Sequence, residues 1–230
     1  MFFLDPTYLL FMIPAFILMA LTSWYVKAAY NKWSRVPSRS RITGYDAVRR
    51  LISVGGMHGI QIQGTPGELT DHYDPRNKTV FLSDGVANNP SVAALAIAAH
   101  ELGHAQQDAE DYFPMRLRGI MVPMVNIGSY LGWILILAGL FIGWTGLSWL
   151  GVLVFSGGAL FALATLPVEF DASARAKRML AQSGIIQTEE EMRGVNNVLN
   201  AAALTYVAGL VTAILQLLYY VSLISGRSRD

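Results

Sequence analysis

The chain has 230 residues, 53% of them hydrophobic and 14% charged, with 17 Lys and Arg against 16 Asp and Glu. Soluble domains carry about 25% charged residues, so this composition argues against an ordinary soluble fold. A formal net charge of +1, with no basic stripe interleaved with aromatics, sets nucleic-acid binding aside, and the absence of cysteine excludes disulfides and thiolate metal sites.

In chain order, the first element is an apolar run over residues 9–26. Asp5 precedes it and Lys27, Lys32 and Arg35 follow it, the reverse of a signal peptide, so it reads as an uncleaved anchor with its N-terminus outside. The following loop is long enough to fold. Residues 43–53 predict a short helix stopped by Gly55-Gly56, and residues 58–63 alternate like a strand. Residues 70–77 are turn-rich, and residues 78–83 predict a second strand. Asn89-Pro90 then predicts a helix start, Asn as N-cap and Pro as first helical residue, with the helix running to Asp108.

Residues 119–168 contain no Asp, Glu, Lys, Arg or His. A membrane-crossing helix needs about 20 apolar residues, so the stretch predicts two spans, 119–142 and 147–166, hinged at residues 143–146. A helix is expected to continue through Glu169 to Leu180, kinked at Pro167. Thr188 and Glu191 form a capping-box pattern opening the helix that feeds a fourth span, 201–225. Trp24, Trp144 and Trp149 sit near span ends, where amphipathic rings favour the interface.

The expected fold is therefore a mainly α membrane protein with about four transmembrane helices and a cytoplasmic domain containing a small β-sheet. The segments are an anchor (1–26), a cytoplasmic region (27–118), two spans (119–166), a cytoplasmic helical segment (167–200), and a last span with its tail (201–230). Eleven of the 17 Lys and Arg lie between spans one and two and four between spans three and four, on one side of the bilayer; two lie in the tail. By the positive-inside rule the richer side is the cytoplasm.

The chemistry is carried by His100-Glu-Leu-Gly-His104. Residues i and i+4 share a helix face, so two imidazoles can bind one Zn²⁺, and Glu101 stands one step round beside the open coordination position. Zinc brings the pKa of a bound water toward about 7, and Glu101 is placed to take its proton. A catalytic zinc takes three protein ligands. No third His follows His104 closely, so the third ligand lies further along the chain. Glu169 is the leading candidate, with Asp171 as runner-up: Glu169 is the first ionisable residue after two spans, which return it to the side holding His104. An unpaired carboxylate ending an apolar run would be costly, and a metal removes that cost. The helix around His100 is also preceded by a strand, 78–83, whose edge is expected to hold an extended peptide by strand addition.

Four motifs in this order, Asp71-His-Tyr-Asp-Pro-Arg76, His100-Glu-Leu-Gly-His104, Leu166-Pro-Val-Glu-Phe-Asp-Ala-Ser173 and Val198-Leu-Asn-Ala-Ala-Ala-Leu-Thr-Tyr-Val207, resemble the bacterial neutral zinc metallopeptidases of the YugP type over nearly the whole chain. That resemblance implies a gluzincin-like zinc peptidase of the bacterial cell membrane, acting on peptide or protein substrates, with Glu169 as third ligand. A more distant similarity is to membrane stress proteases of the Ste24 and HtpX type, which carry Glu-x-x-Ala-Asp at the third ligand. This chain has Ser173 in place of that Asp, leaving Asp171 or Ser173 to orient a ligand histidine. His72, Tyr73 and Tyr206 are candidate donors to the oxyanion of a tetrahedral intermediate.

The leading expectation is a zinc-dependent endopeptidase at the cytoplasmic membrane face. An intramembrane protease is disfavoured, because the helix around His100 is too short and too polar at one end to span. The alternative of another class is a catalytically silent membrane scaffold or adaptor with a structural zinc. The intact Glu101 argues against it, since a structural zinc needs no general base.

Overall fold

The computed structural model describes residues 5–227; the first four residues of the expected anchor and the last three of the expected tail lie outside the described residues. The elements run α1 (Pro6–Trp33), α2 (Gly44–Gly55), β1 (Gln61–Thr65), β2 (His72–Asp74), β3 (Thr79–Ser83), α3 (Asp84–Ala87), α4 (Val92–Ala109), α5 (Phe113–Ile142), α6 (Thr145–Phe155), α7 (Gly157–Gln182) and α8 (Glu189–Arg227). They divide into two compact units. The first holds the described residues up to Ser23, Arg116–Leu166, and those from Thr205 onward; the second holds Trp24–Met115 and Pro167–Leu204.

Among the described residues, four helical stretches are long and apolar enough to cross a membrane: Pro6–Trp33, Phe113–Ile142, Thr145–Gln182 and Glu189–Gly226. Each contains one of the expected spans. The protein is a mainly α membrane protein carrying one small sheet. In the first unit α5 and α6 form a tight hairpin, reversed at Gly143 with φ of 77°. Burial against lipid tails adds no hydrophobic gain between such helices, so close backbone packing does the work. A Cβ on Gly132 would lie 2.8 Å from the Phe155 nitrogen, and one on Gly151 would lie 2.6 Å from the Ile136 nitrogen. Ser148 Oγ donates to the Ile136 carbonyl at 3.2 Å, and Tyr219 and Tyr220 pack edge-on against Tyr8 and Phe155. The expected third span lies within the helical stretch Thr145–Gln182, which loosens for one residue at Ser156, still in right-handed helical geometry, just before the poor helix formers Gly157-Gly158. Helix α7 then continues through Pro167.

The second unit folds around α4. Residues Val92–Ala99 of α4 are small or apolar and all but Ile97 are buried, so the helix is enclosed rather than half-exposed. Tyr30, Trp33, Val48, Leu51, Val80, Leu82, Leu180, Val195 and Leu199 complete the core. The helix start differs from expectation. Ser91, not Asn89, is the N-cap, accepting from the Ala94 nitrogen at 3.2 Å. Pro90 stays outside because residues 36–38 lie alongside: its carbonyl accepts from Ser38, and the Val92 nitrogen donates to Val36. Asn89 instead donates its side chain to the Ser34 carbonyl at 3.4 Å.

The sheet has the order β1-β3-β2, with β1 parallel and β2 antiparallel to β3. Strand β3 is therefore central, and both of its edges are taken. The expectation that it offers an edge to a peptide is corrected by β2, a short strand inside the segment read as turn. The turn proper spans residues 75–78, where Asp74 accepts from the Arg76 nitrogen at 2.9 Å and from Asn77 at 3.1 Å. Thr43 caps α2, and Gly56 ends it in the left-handed region at φ 63°.

The capping box at α8 forms, with the Glu191 nitrogen donating to Thr188 Oγ1 and Glu191 Oε2 accepting from the Thr188 nitrogen. Glu191 also accepts from the Gln187 nitrogen at 2.9 Å and from the Arg39 nitrogen at 2.7 Å, so one buried carboxylate ties the segment after α1 to the start of α8. Removing an acceptor shared by several buried donors costs about 1–3 kcal/mol. Glu191→Ala should lower the stability of the detergent-purified protein by that amount in a denaturant titration. An unchanged midpoint would show that other contacts hold the segment.

Candidate metal centre

On α4, His100, His104 and Gln107 lie at i, i+4 and i+7 and so share one face, with Glu101 about 100° round from His100. On α7, Val168, Ala172, Ala176 and Leu180 form a fully buried stripe at four-residue spacing. Glu169 and Ser173 run beside that stripe, again four residues apart, and face α4 through contacts with His100.

The structure brings three sequence-predicted ligands together. His100 Nε2 lies 3.3 Å and His104 Nε2 3.5 Å from Glu169 Oε2, and ligand atoms of the three residues all lie within 4.8 Å of one another. Donors held about 2.0–2.2 Å from a four-coordinate zinc sit roughly 3.4 Å apart, so this nitrogen-nitrogen-oxygen set can hold the ion and leave a fourth position for water or substrate. The other ring nitrogens point to partners. Ser173 Oγ lies 3.2 Å from His100 Nδ1, and Gln107 Oε1 lies 3.0 Å from His104 Nδ1. Asp171, the runner-up ligand, is not in the cluster. Its Oδ2 accepts from Gln107 Nε2 at 2.9 Å and from Arg175 Nε, and Arg175 also pairs with Glu110 at 2.7 Å. It meets the histidines only through Gln107. Sequence reasoning missed Gln107; its signal was a polar side chain one turn after His104 on the ligand face.

Burial pushes the His104 imidazole down. The hydrogen bond to Glu169, with the charges of Glu101 and Glu169, outweighs that, so its pKa lies above the usual histidine value. Glu101 is nearly buried. Among the described residues its carboxylate has no hydrogen-bond or ion-pair partner, an expensive condition for a buried acid.

The remaining predicted residues are engaged elsewhere. Tyr73 donates its hydroxyl to Asp108 Oδ2 at 2.8 Å, holding the edge strand β2 against the end of α4. The His72 ring stacks on Phe81 at 4.7 Å, and its Nδ1 lies 2.8 Å from the Thr70 carbonyl. Tyr206 belongs to the part of α8 in the first unit.

Gly103, between the two histidines, sets how closely α7 approaches. A Cβ there would lie 2.5 Å from the Ala172 carbonyl oxygen and 3.2 Å from its carbon and Cα, all backbone atoms that no rotamer change can move. Overpacking of this kind costs about 1–3 kcal/mol. Gly103→Ala should lower the melting temperature and reduce zinc per chain, because α7 carries Glu169. Normal zinc content with a normal melt would mean that the helix spacing does not govern the site.

Two comparisons with known proteins bear on this geometry. Residues 8–225 match the family described as "Putative neutral zinc metallopeptidase". The chain is 39% identical over 226 residues to "Putative membrane protease YugP" of Bacillus subtilis (strain 168), covering 96% of this chain and 100% of that protein. No solved structure matches. With a matched family spanning almost its whole length and a curated relative aligned end to end, the chain belongs to this membrane-associated family of neutral zinc metallopeptidases.

Proposed function

We propose that the protein is a membrane-embedded, gluzincin-like endopeptidase that hydrolyses extended peptide segments at the cytoplasmic membrane face, with His100, His104 and Glu169 as zinc ligands and Glu101 as general base. The observation carrying the reading is the convergence of two Nε2 atoms and Glu169 Oε2 beside a nearly buried, unpartnered Glu101. Gln107, Asp171, Ser173 and Arg175 are each bonded to a neighbour. Glu101, with no hydrogen-bond or ion-pair partner among the described residues, keeps its lone pairs for a proton.

When bound, zinc would acidify a water and polarise the scissile carbonyl. Glu101 accepts the proton as the water oxygen adds to the carbonyl carbon, and hands it to the amide nitrogen as the carbon–nitrogen bond breaks. Ser173 and Gln107 hold the imidazoles in position through their Nδ1 atoms. The peptide is supplied as a strand. β2 pairs only with β3 among the described residues, so its outer edge is open, and Tyr73 fixes that edge beside α4.

Glu101→Gln should retain zinc while cleavage of an unfolded protein substrate falls at least about 100-fold. Glu169→Ala should lose zinc and activity together. Full cleavage by the Glu101→Gln enzyme would sink the mechanism; full biological function from a cleavage-dead Glu101→Gln chain would favour a scaffold. Orientation rests on the distribution of Lys and Arg. Because the chain has no cysteine, single substitutions report it cleanly. Exposed Ser53→Cys should react with an impermeant maleimide only when the cytoplasmic face is open to reagent, and exposed Thr145→Cys only from the opposite face. The reverse pattern would place the site outside.

A further inference from the structure

Gln107 is fully buried, yet its side chain meets three polar groups at hydrogen-bond distance: His104 Nδ1 at 3.0 Å, the Val168 carbonyl at 2.8 Å and Asp171 Oδ2 at 2.9 Å. Two of these groups cannot donate. A backbone carbonyl only accepts, and Asp171 Oδ2 is an oxygen that already accepts from Arg175 Nε. Both must therefore face the amide nitrogen, whose two protons they consume. The amide oxygen is left for the imidazole, and an oxygen accepts only from a protonated Nδ1. The chain of donors fixes a proton on His104 Nδ1, which leaves Nε2, the ring nitrogen on the Glu169 side, as the atom available to a metal.

We infer that Gln107 is a positioning residue that locks His104 in its Nδ1–H tautomer and, through the carbonyl immediately before Glu169, ties two zinc ligands on different helices to one amide group. The inference rests on the zinc reading above. Asp171 and Arg175 act behind the amide: the Asp171 carboxylate helps decide which way Gln107 faces, and Arg175, joined also to Glu110, holds that carboxylate in place. His100 is held differently. Ser173 Oγ can donate or accept, so its hydroxyl adapts to the imidazole instead of dictating its tautomer.

The test uses full-length protein in detergent, zinc affinity by chelator competition, and ¹⁵N spectra of the histidines, of which the chain has four. In zinc-loaded wild type, His104 should be bound through Nε2 with a slowly exchanging Nδ1 proton. Gln107→Met keeps the side-chain length and removes the hydrogen bonds. It should weaken zinc binding about 10–100-fold and expose the His104 Nδ1 proton to exchange, with the His100 resonances unchanged. Asp171→Asn, which retains an acceptor for the amide, should preserve the His104 signal. Should the methionine variant not fold, Gln107→Leu serves: it fills much of the same space with no hydrogen-bonding group, and must also lose zinc affinity. Wild type that binds zinc, with either Gln107 variant binding it equally tightly and the His104 resonance unchanged, overturns the inference alone. Wild type that takes up no zinc overturns both the inference and the zinc reading.

Discussion

Glu169 is a carboxylate only 2% exposed, at the end of an apolar stretch. An unpaired buried charge costs several kcal/mol, so the fold must bring compensating groups to it. Those groups are two imidazoles on α4, and they reach it only because the helices almost touch. The contact is made at Gly103 and Ala172, where backbone lies against backbone. The small, enclosed α4, the four-residue stripe on α7 and the caps that fix where α4 and α8 begin all serve that approach. A side chain at position 103 would move the two histidines away from Glu169 as well as disturb the packing.

Polar groups in the second unit fall into two kinds, and the difference separates scaffold from chemistry. Glu191, Gln107, Asp171 and Arg175 are each bound to several partners, as buried or half-buried polar groups in a stable fold must be. Glu101 breaks that pattern. Its carboxylate is nearly buried and unspent, a cost that a purely structural site has no reason to carry. The proposed role as general base would give it a reason to stay unspent.

Local patterns were read well where the governing interaction is local. The Thr188–Glu191 capping box, the end of α2 at Gly56 and the four apolar spans are properties of a few neighbouring residues, and each is found where expected. The readings that changed involve partners distant in sequence. Asn89 has the chemistry of an N-cap, but segment 36–38 bonds to Pro90 and Val92 and moves the cap to Ser91. Residues 72–74 have the composition of a turn, yet they pair with β3 and take the edge that β3 was expected to offer.

By itself the sequence placed the two histidines and Glu101 on neighbouring faces of one helix, since spacing of one and four residues is enough to do so. It also determined the membrane class, because long charge-free runs have few other uses. Glu169 was reached by an energetic argument: a carboxylate in that context needs a partner. Gly103 and Gln107 are different. A glycine between two histidines and a glutamine one turn later have no meaning until α7 is packed against α4. Only the tertiary structure decided that the glycine marks the closest approach and that the glutamine's donors are already claimed by Val168 and Asp171. Hydrogen-bond accounting of that kind depends on which groups from distant parts of the chain share a buried space, and no periodicity in the sequence records it.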